Sequence, residues 1–270
     1  AAGYLGRPVR GGHPRIFRNE SRGPDAVRFV DASAQLGLRQ PLTPMGMNIA
    51  DVDLDGFVDL YLGTGEPALE SLVPNVLYLN FGGVTFRDAT ARFGLGHLQK
   101  GHGVAFGDAD GDGDVDLFHQ LGGFFAGDAF ANALFENTTT ARAAHLTLLL
   151  EGRASNRFAV GARVTAVVRA GRSRRAIHAL AGSGGSFGGN SLQVEMGLGR
   201  IDTIENVVVR WPRFGAGVDP MQHLGPLEAD RRYRVIEGEA AVVDNLAPVR
   251  LGADVAPTAH HHDDSPEPSP

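Results

Sequence analysis

At 270 residues the chain is long enough for two ordinary domains and a sizeable core, and 43% apolar with 7% aromatic residues excludes a disordered chain. Cysteine is absent, which excludes disulfides, thiolate zinc sites and cysteine nucleophiles, and no apolar run approaches a membrane span. The net charge of −6 is focused rather than spread: Asp51, Asp53, Asp55, Asp59, Asp108, Asp110, Asp112, Asp114 and Asp116 fall in two short segments, and without them the balance turns positive, so no general acidic surface is expected.

The chain opens on AAGYLGRPVRGG, which carries neither Met nor a signal-peptide pattern and reads as the start of a mature or truncated piece. A repeat then sets in. IFRNE…VRFVDASAQLGL (16–38) aligns with LYLNF…VTFRDATARFGL (77–95), with Phe29 on Phe86, Gly37 on Gly94 and Asp51 on Asp108 at a spacing of 57. Asn19 aligns with Asn80 after a four-residue turn insertion, and a third copy starts at LFEN (134–137) and breaks off. Each unit reads as short strands: one before the aspartates (GMNIAD, GVAFGD), one after them (VDLYLG, VDLFHQ), then NVLYLN and VTFRDAT. Four short strands in a unit of this length predict a propeller blade. ATARFGL is left as either one helical turn or a loop.

The aspartates follow D-x-D-x-D-G-x-x-D twice, as Asp51, Asp53, Asp55, Gly56 and Asp59, and as Asp108, Asp110, Asp112, Gly113 and Asp116. Alternate positions in a tight loop can turn carboxylates toward one centre, Gly permits the reversal, and the last Asp closes the cage from the next strand. The carbonyl of Phe57 or Asp114 is free to join. Hard oxygens without nitrogen or sulfur favour Ca²⁺, with Mg²⁺ next, at two sites. An EF-hand is excluded, because Leu62 or His119 stands where its bidentate Glu belongs and the flanks have strand periodicity. A solvated acidic turn is the bland alternative; two copies at the repeat spacing weigh against it. Unscreened carboxylates this close repel by roughly 1 kcal/mol per pair even in water, and a divalent ion turns that repulsion into a cross-link. With no His, Ser or Lys placed beside the loops as acid or base, the ion is expected to be structural and no catalytic residue is assigned.

From Ala144 the pattern changes to alternating β-branched runs, AHLTLLLEG, GARVTAVVRAG, RRAIHAL, LQVEMGLG, ENVVVRWP and RRYRVIEGEA, which predict a β-sandwich over 144–240 with Trp211 in its core. Residues 241–270, ending in ADVAPTAHHHDDSPEPSP, read as a disordered tail whose His-rich run is incidental. GGSFG (184–188) has the form of a hydrolase elbow, yet Ser186 lies in a Gly-rich β loop and His223 is the only later His before the tail, so a turn is expected there. Arg169, Arg172, Arg174 and Arg175 flank one turn and are either a docking patch for an acidic glycan or protein, or a solvated hairpin end.

These residues carry a resemblance. GMNIADVDLDGFVDLYLGTG and GVAFGDADGDGDVDLF resemble FG-GAP/VCBS repeats, the calcium-binding blades of integrin-α-like propellers. SNRFAVGARV (155–164), GSGGSFGGNS (182–191), MGLG (196–199), VVVRWP (207–212) and VIEGE resemble the ASPIC/UnbV domain, which follows such repeats in bacterial secreted proteins and in cartilage acidic protein. The resemblance implies an all-β chain: a partial propeller over 1–140 with two complete calcium loops, then an ASPIC/UnbV-like β-sandwich. Such propellers have about seven blades, so further blades elsewhere in a longer protein, or a short degenerate form, are both open. It also implies a secreted, periplasmic or cell-surface setting and a role in binding, adhesion or scaffolding; the lack of clustered aromatics beside the arginines argues against nucleic acid, and no membrane span is expected. The competing expectation is an enzyme or biosynthetic accessory protein acting on carbohydrate or a secondary metabolite, which calls for a pocket where His102, His119 or His178 meets a carboxylate.

Overall fold

The segment DLYLGT shows how the first half is built. All six of its residues are buried, and period-2 alternation sends them to opposite sides. Leu60 and Leu62 join Leu38, Leu42, Val76 and Tyr78 in one cluster. Tyr61, between them, joins Leu77, Leu79, Val104, Phe106, Val115 and Leu117 in another. A strand buried on both faces belongs to a sheet stacked between sheets, and that is the reason for its unbroken apolar run.

The structure is a computed structural model that describes residues 3–4, 7–8, 12–66, 73–123, 127–138, 143–182, 187–212, 220–245, 247 and 251. Short strands β1 (Gly3–Tyr4) and β2 (Arg7–Pro8) pair with each other. β3 (Phe17–Asn19) and β4 (Phe29–Asp31) form a hairpin. β5 (Pro44–Ala50), β6 (Asp59–Thr64), β7 (Val76–Phe81) and β8 (Thr85–Asp88) make a four-stranded antiparallel meander. β9 (Gly101–Gly107), β10 (Asp116–Leu121) and β11 (Ala133–Phe135) repeat its first three strands. Between the two sheets α1 (Thr90–Phe93) is one turn, closed by Gly94 in the left-handed region. It is the only helix among the described residues, and it settles ATARFGL as helical. These sheets are successive blades of a partial β-propeller, with β3 and β4 supplying the outer strands of an incomplete one. Adjacent blades approach closely at Gly46, where a Cβ would lie 1.7 Å from the His102 carbonyl oxygen. Only glycine fits that crossing.

The second half is a two-sheet sandwich. β12 (Ala144–Glu151) lies between β15 (Val194–Gly199) and, in parallel, β18 (Arg231–Ile236), with β19 (Val242–Val243) on the outer edge. The other sheet runs β14 (Ser173–Leu180), β13 (Arg163–Ala170), β16 (Thr203–Arg210), β17 (Met221–Gly225). Val164, Ala166, Val168, Val207, Val209, Leu146, Leu148, Leu198, Val235 and Trp211 fill the space between the sheets. Arg163, Thr165, Val167 and Arg169 alternate to the outer face of β13.

One boundary differs from expectation. The ordered chain continues past residue 240, because Val242 and Val243 pair with Arg234 and Tyr233, and the Asp244 amide bonds the Arg232 carbonyl. A β-branched pair at an open strand edge is enough to extend the sheet. The His-rich run at 260–264 and Ser186 lie outside the described residues. No helix among the described residues is long and apolar enough to cross a membrane.

Candidate metal centres

Each aspartate loop sits between the first two strands of a complete blade, β5 and β6 or β9 and β10. In the first, carboxylate oxygens of Asp51, Asp53 and Asp59 lie within 4.8 Å of one another; in the second, those of Asp108, Asp110 and Asp116 do. The chain itself folds the loops around these side chains. The Asp51 carboxylate accepts the amides of Asp55 and Gly56 at 3.0 and 2.8 Å, and Asp108 accepts the Gly111 amide at 2.7 Å. Gly56 and Gly113 take φ of 91° and 100°, the left-handed reversal that the sequence pattern reserves for glycine.

Asp59 and Asp116 do a second job. Asp59 accepts the Val52 amide of its own loop and the Asn80 amide at the end of β7, both at 2.8 Å. Asp116 accepts the Ala109 amide at 2.9 Å and the Asn137 amide at 2.8 Å. Asn80 and Asn137 return the contact through their side-chain amides, to the Val58 and Val115 carbonyls. These two asparagines were missed as site residues. The signal was present, since they stand 57 apart, the same spacing as the aspartates.

The remaining predicted residues are not in the clusters. Asp55 accepts the Phe57 amide and Asp112 the Asp114 amide, so both close local turns. The Phe57 carbonyl is on the loop that Asp55 closes. Asp114 is buried, and its Oδ1 has no hydrogen-bonding partner, as is true of Asp53 Oδ1.

Those two buried orphaned oxygens are the test of fit for a cation. A buried carboxylate oxygen without a donor is costly; Asp53 belongs to the first cluster and Asp114 adjoins the second, and both clusters offer carboxylate oxygens alone, although the His145 ring, unforeseen beside a loop, packs against Gly113. Burial, with Asp55 and Asp53 adding repulsion, pushes Asp51 up to about 7. Burial also raises Asp59 to about 8, and raises Asp114 to about 8 with Asp112 and Asp116 contributing. Asp53, Asp55, Asp108 and Asp110 move in the same direction, each mainly through desolvation. Such sites are poised for positive charge, and all-oxygen donors fit a hard divalent ion.

Both loops also seat against the sandwich. The Leu54 carbonyl accepts the Gly199 amide at 2.7 Å. Arg175 donates to the Asp55 and Leu198 carbonyls, each at 2.7 Å, with its guanidinium over the Phe57 ring. From the second loop, the Asp108 amide donates to Glu195 at 3.0 Å, and burial raises Glu195 to about 7. Arg169 and Arg174 share Glu205. Three of the four arginines expected as a docking patch are thus held by partners inside the molecule, because β14 faces the loop and β16 supplies an acid. Arg172 alone remains on the exposed turn.

The histidines separate. His119 is fully buried beside Tyr61, its ring 5.3 Å from the phenol in an edge-on contact. His102 lies on β9 facing Phe187 at 6.4 Å. His178 bonds Thr165 at 3.0 Å. None of these three meets a carboxylate; His145 does, standing 3.4 Å from Asp230.

Fold and site together define an all-β protein in which propeller blades bearing two all-oxygen carboxylate clusters are docked on a β-sandwich. The family model described as ASPIC and UnbV matches residues 152–242, which spans most of that sandwich. No curated protein matches the chain.

Proposed function

We propose that the chain is a calcium-binding, extracytoplasmic protein with FG-GAP/VCBS-type blades that acts in binding, adhesion or scaffolding, its two ions serving the fold. The observation that carries this reading is the pair of equivalent carboxylate clusters, the first containing the buried, partnerless oxygen of Asp53 and the second adjoining that of Asp114. Asp51, Asp53 and Asp59 would hold one ion, and Asp108, Asp110 and Asp116 the other. The bound ion supplies positive charge where carboxylates converge. Around it, Asp59 and Asp116 tie loop to strand through Asn80 and Asn137, while Arg175 and Glu195 fasten the loops to the sandwich. The extracytoplasmic setting rests on the sequence resemblance of both halves.

Calorimetric melting in calcium and then in chelator tests the reading. At a hundredfold excess over its dissociation constant each ion stabilises by about 2.7 kcal/mol, so the transition should rise by several degrees in calcium. An unchanged transition overturns the proposal.

A further inference from the structure

A cavity of about 830 Å³ opens between the first loop with β5 and the sandwich, where β13, β14, β16 and β17 of one sheet and the edge strand β15 of the other line it. That volume is in the range of small-molecule sites. Strand register places Arg163 of β13 directly opposite Arg210 of β16. Both side chains are exposed and line the cavity. Like charges facing each other across a strand pair are unfavourable, and neither guanidinium has an acidic partner among the described residues. The cavity's two acids are engaged elsewhere, Asp51 by the amides of its loop and Glu195 by the Asp108 amide.

The same row of the sheet continues into apolar side chains. Leu180 pairs with Arg163 on one side and Met221 with Arg210 on the other. Leu180 is 61% exposed and Met221 43%, and from the opposite wall Ile49 and Val58 are 46% and 47% exposed. Two adjacent guanidiniums can hold one oxyanion through paired N–H donors, and an apolar margin on both walls suits a hydrophobic body attached to it.

We propose that this cleft binds a small amphipathic organic anion, a carboxylate, sulfate or phosphate group carried on an apolar ring or chain, with Arg163 and Arg210 on the anionic head. The proposal deepens the binding role inferred above and rests on it. Because one wall is the first aspartate loop and the other is the sandwich, the ligand would bridge the two halves.

Naphthalene-2-sulfonate is a suitable probe, titrated calorimetrically into the calcium-loaded chain at low salt beside neutral 2-naphthol. One saturable site for the sulfonate is expected, with the naphthol roughly tenfold weaker or worse, about the difference one charged head contributes. Arg163→Gln with Arg210→Gln should weaken the sulfonate by a similar factor, while Arg172→Gln, at the far turn of the same sheet, should leave it unchanged. Equal affinity for sulfonate and naphthol, or full affinity in the double variant, overturns the proposal. The double variant should melt no lower than the parent, since it relieves a like-charge pair; if it does melt lower, the sulfonate–naphthol contrast on the unaltered chain decides. Loss of the cleft result while calcium still raises the transition overturns this inference alone, and the opposite pattern overturns the calcium reading alone.

Discussion

The blades and the sandwich solve the same packing problem with different materials. Among the described residues, eleven of the buried polar or charged ones lie before Ala144, including Asp59, Asn75, Lys100, Asp114, Asp116, His119 and Asp128, and two lie after it, Thr147 and Glu237. The sandwich core is a single apolar cluster reaching from Leu146 to Val235, and its buried Glu237 accepts the amides of Arg153, Ala154 and Ser155. Apolar burial contributes in any ionic condition. Buried carboxylates and imidazole contribute only when charge and protonation suit them. The blades should therefore respond to ions and acid well before the sandwich does.

The sharpest way to break this contrast is to remove a closing aspartate. Asp59→Ala leaves the Val52 and Asn80 amides without their acceptor and takes a carboxylate out of the cluster. Hydrogen bonds to a charged group contribute about 1.5–3 kcal/mol each, so a loss of about 3–5 kcal/mol is expected. Hydrogen exchange gives the location: amides of β5–β8 should lose protection while those of β12 and β18 keep theirs. Equal loss in both halves would show one cooperative unit and end the comparison. Asp116→Ala should behave alike for β9–β11.

Acid is the next largest lever. Burial holds His119 down at about 4, with His97 and His102 adding to the effect. Its ordinary value is near 6.5. A depressed basic group is neutral in the fold, so the stability it permits is full above pH 6.5 and is lost as pH falls through 6.5 toward 4. The loss amounts to about 3 kcal/mol. The raised aspartates titrate in the opposite sense without metal, so the effect is read as the difference between the chain and His119→Gln over that window. No difference would mean the imidazole is not buried as drawn.

Much of the first half was legible because its physics is local. Alternating aspartates, a glycine reversal and apolar flanks at a fixed spacing dictate a loop between paired strands, and the two clusters form from residues no more than eight apart. Asn80 and Asn137 were visible as markers of the repeat but not as site residues, because an asparagine near a strand end has no chemical pattern of its own; only its repeat spacing ties it to the aspartates. The seating of the loops on the sandwich was illegible for a stronger reason. Arg175 meets Asp55 across 120 residues of chain, and nothing in RAGRSRR distinguishes the arginine that will be held from the one that stays in water. Strand alternation decides that, through a register that only the folded sheet fixes. The short β19 was lost among tail-like composition, since two valines are too few to show a period.

Arg175→Ala sharpens the comparison at the seam. It removes two bonds from a charged donor and the stacking on Phe57, so a loss of about 3 kcal/mol is expected. The first loop's exchange protection should fall, and the second loop's, held through Glu195, should not. Equal effects on both loops would contradict separate seats.

The smallest effect tests how the first loop differs from the second. Leu54 holds φ at 57°, whereas Gly111 occupies the equivalent place in the second loop with φ of 81°. A left-handed leucine costs roughly 1–2 kcal/mol, which Leu54→Gly would relieve. Against that, Leu54 is only 8% exposed, and burying a leucine contributes about 1.5–3 kcal/mol. Glycine also gives up about 0.5–1 kcal/mol in chain entropy. Burial and entropy outweigh the strain, so Leu54→Gly should lower stability by about 1 kcal/mol, measured by denaturant titration in saturating calcium. A rise would mean that the leucine is tolerated rather than used, and that the first loop does not depend on burial of this side chain.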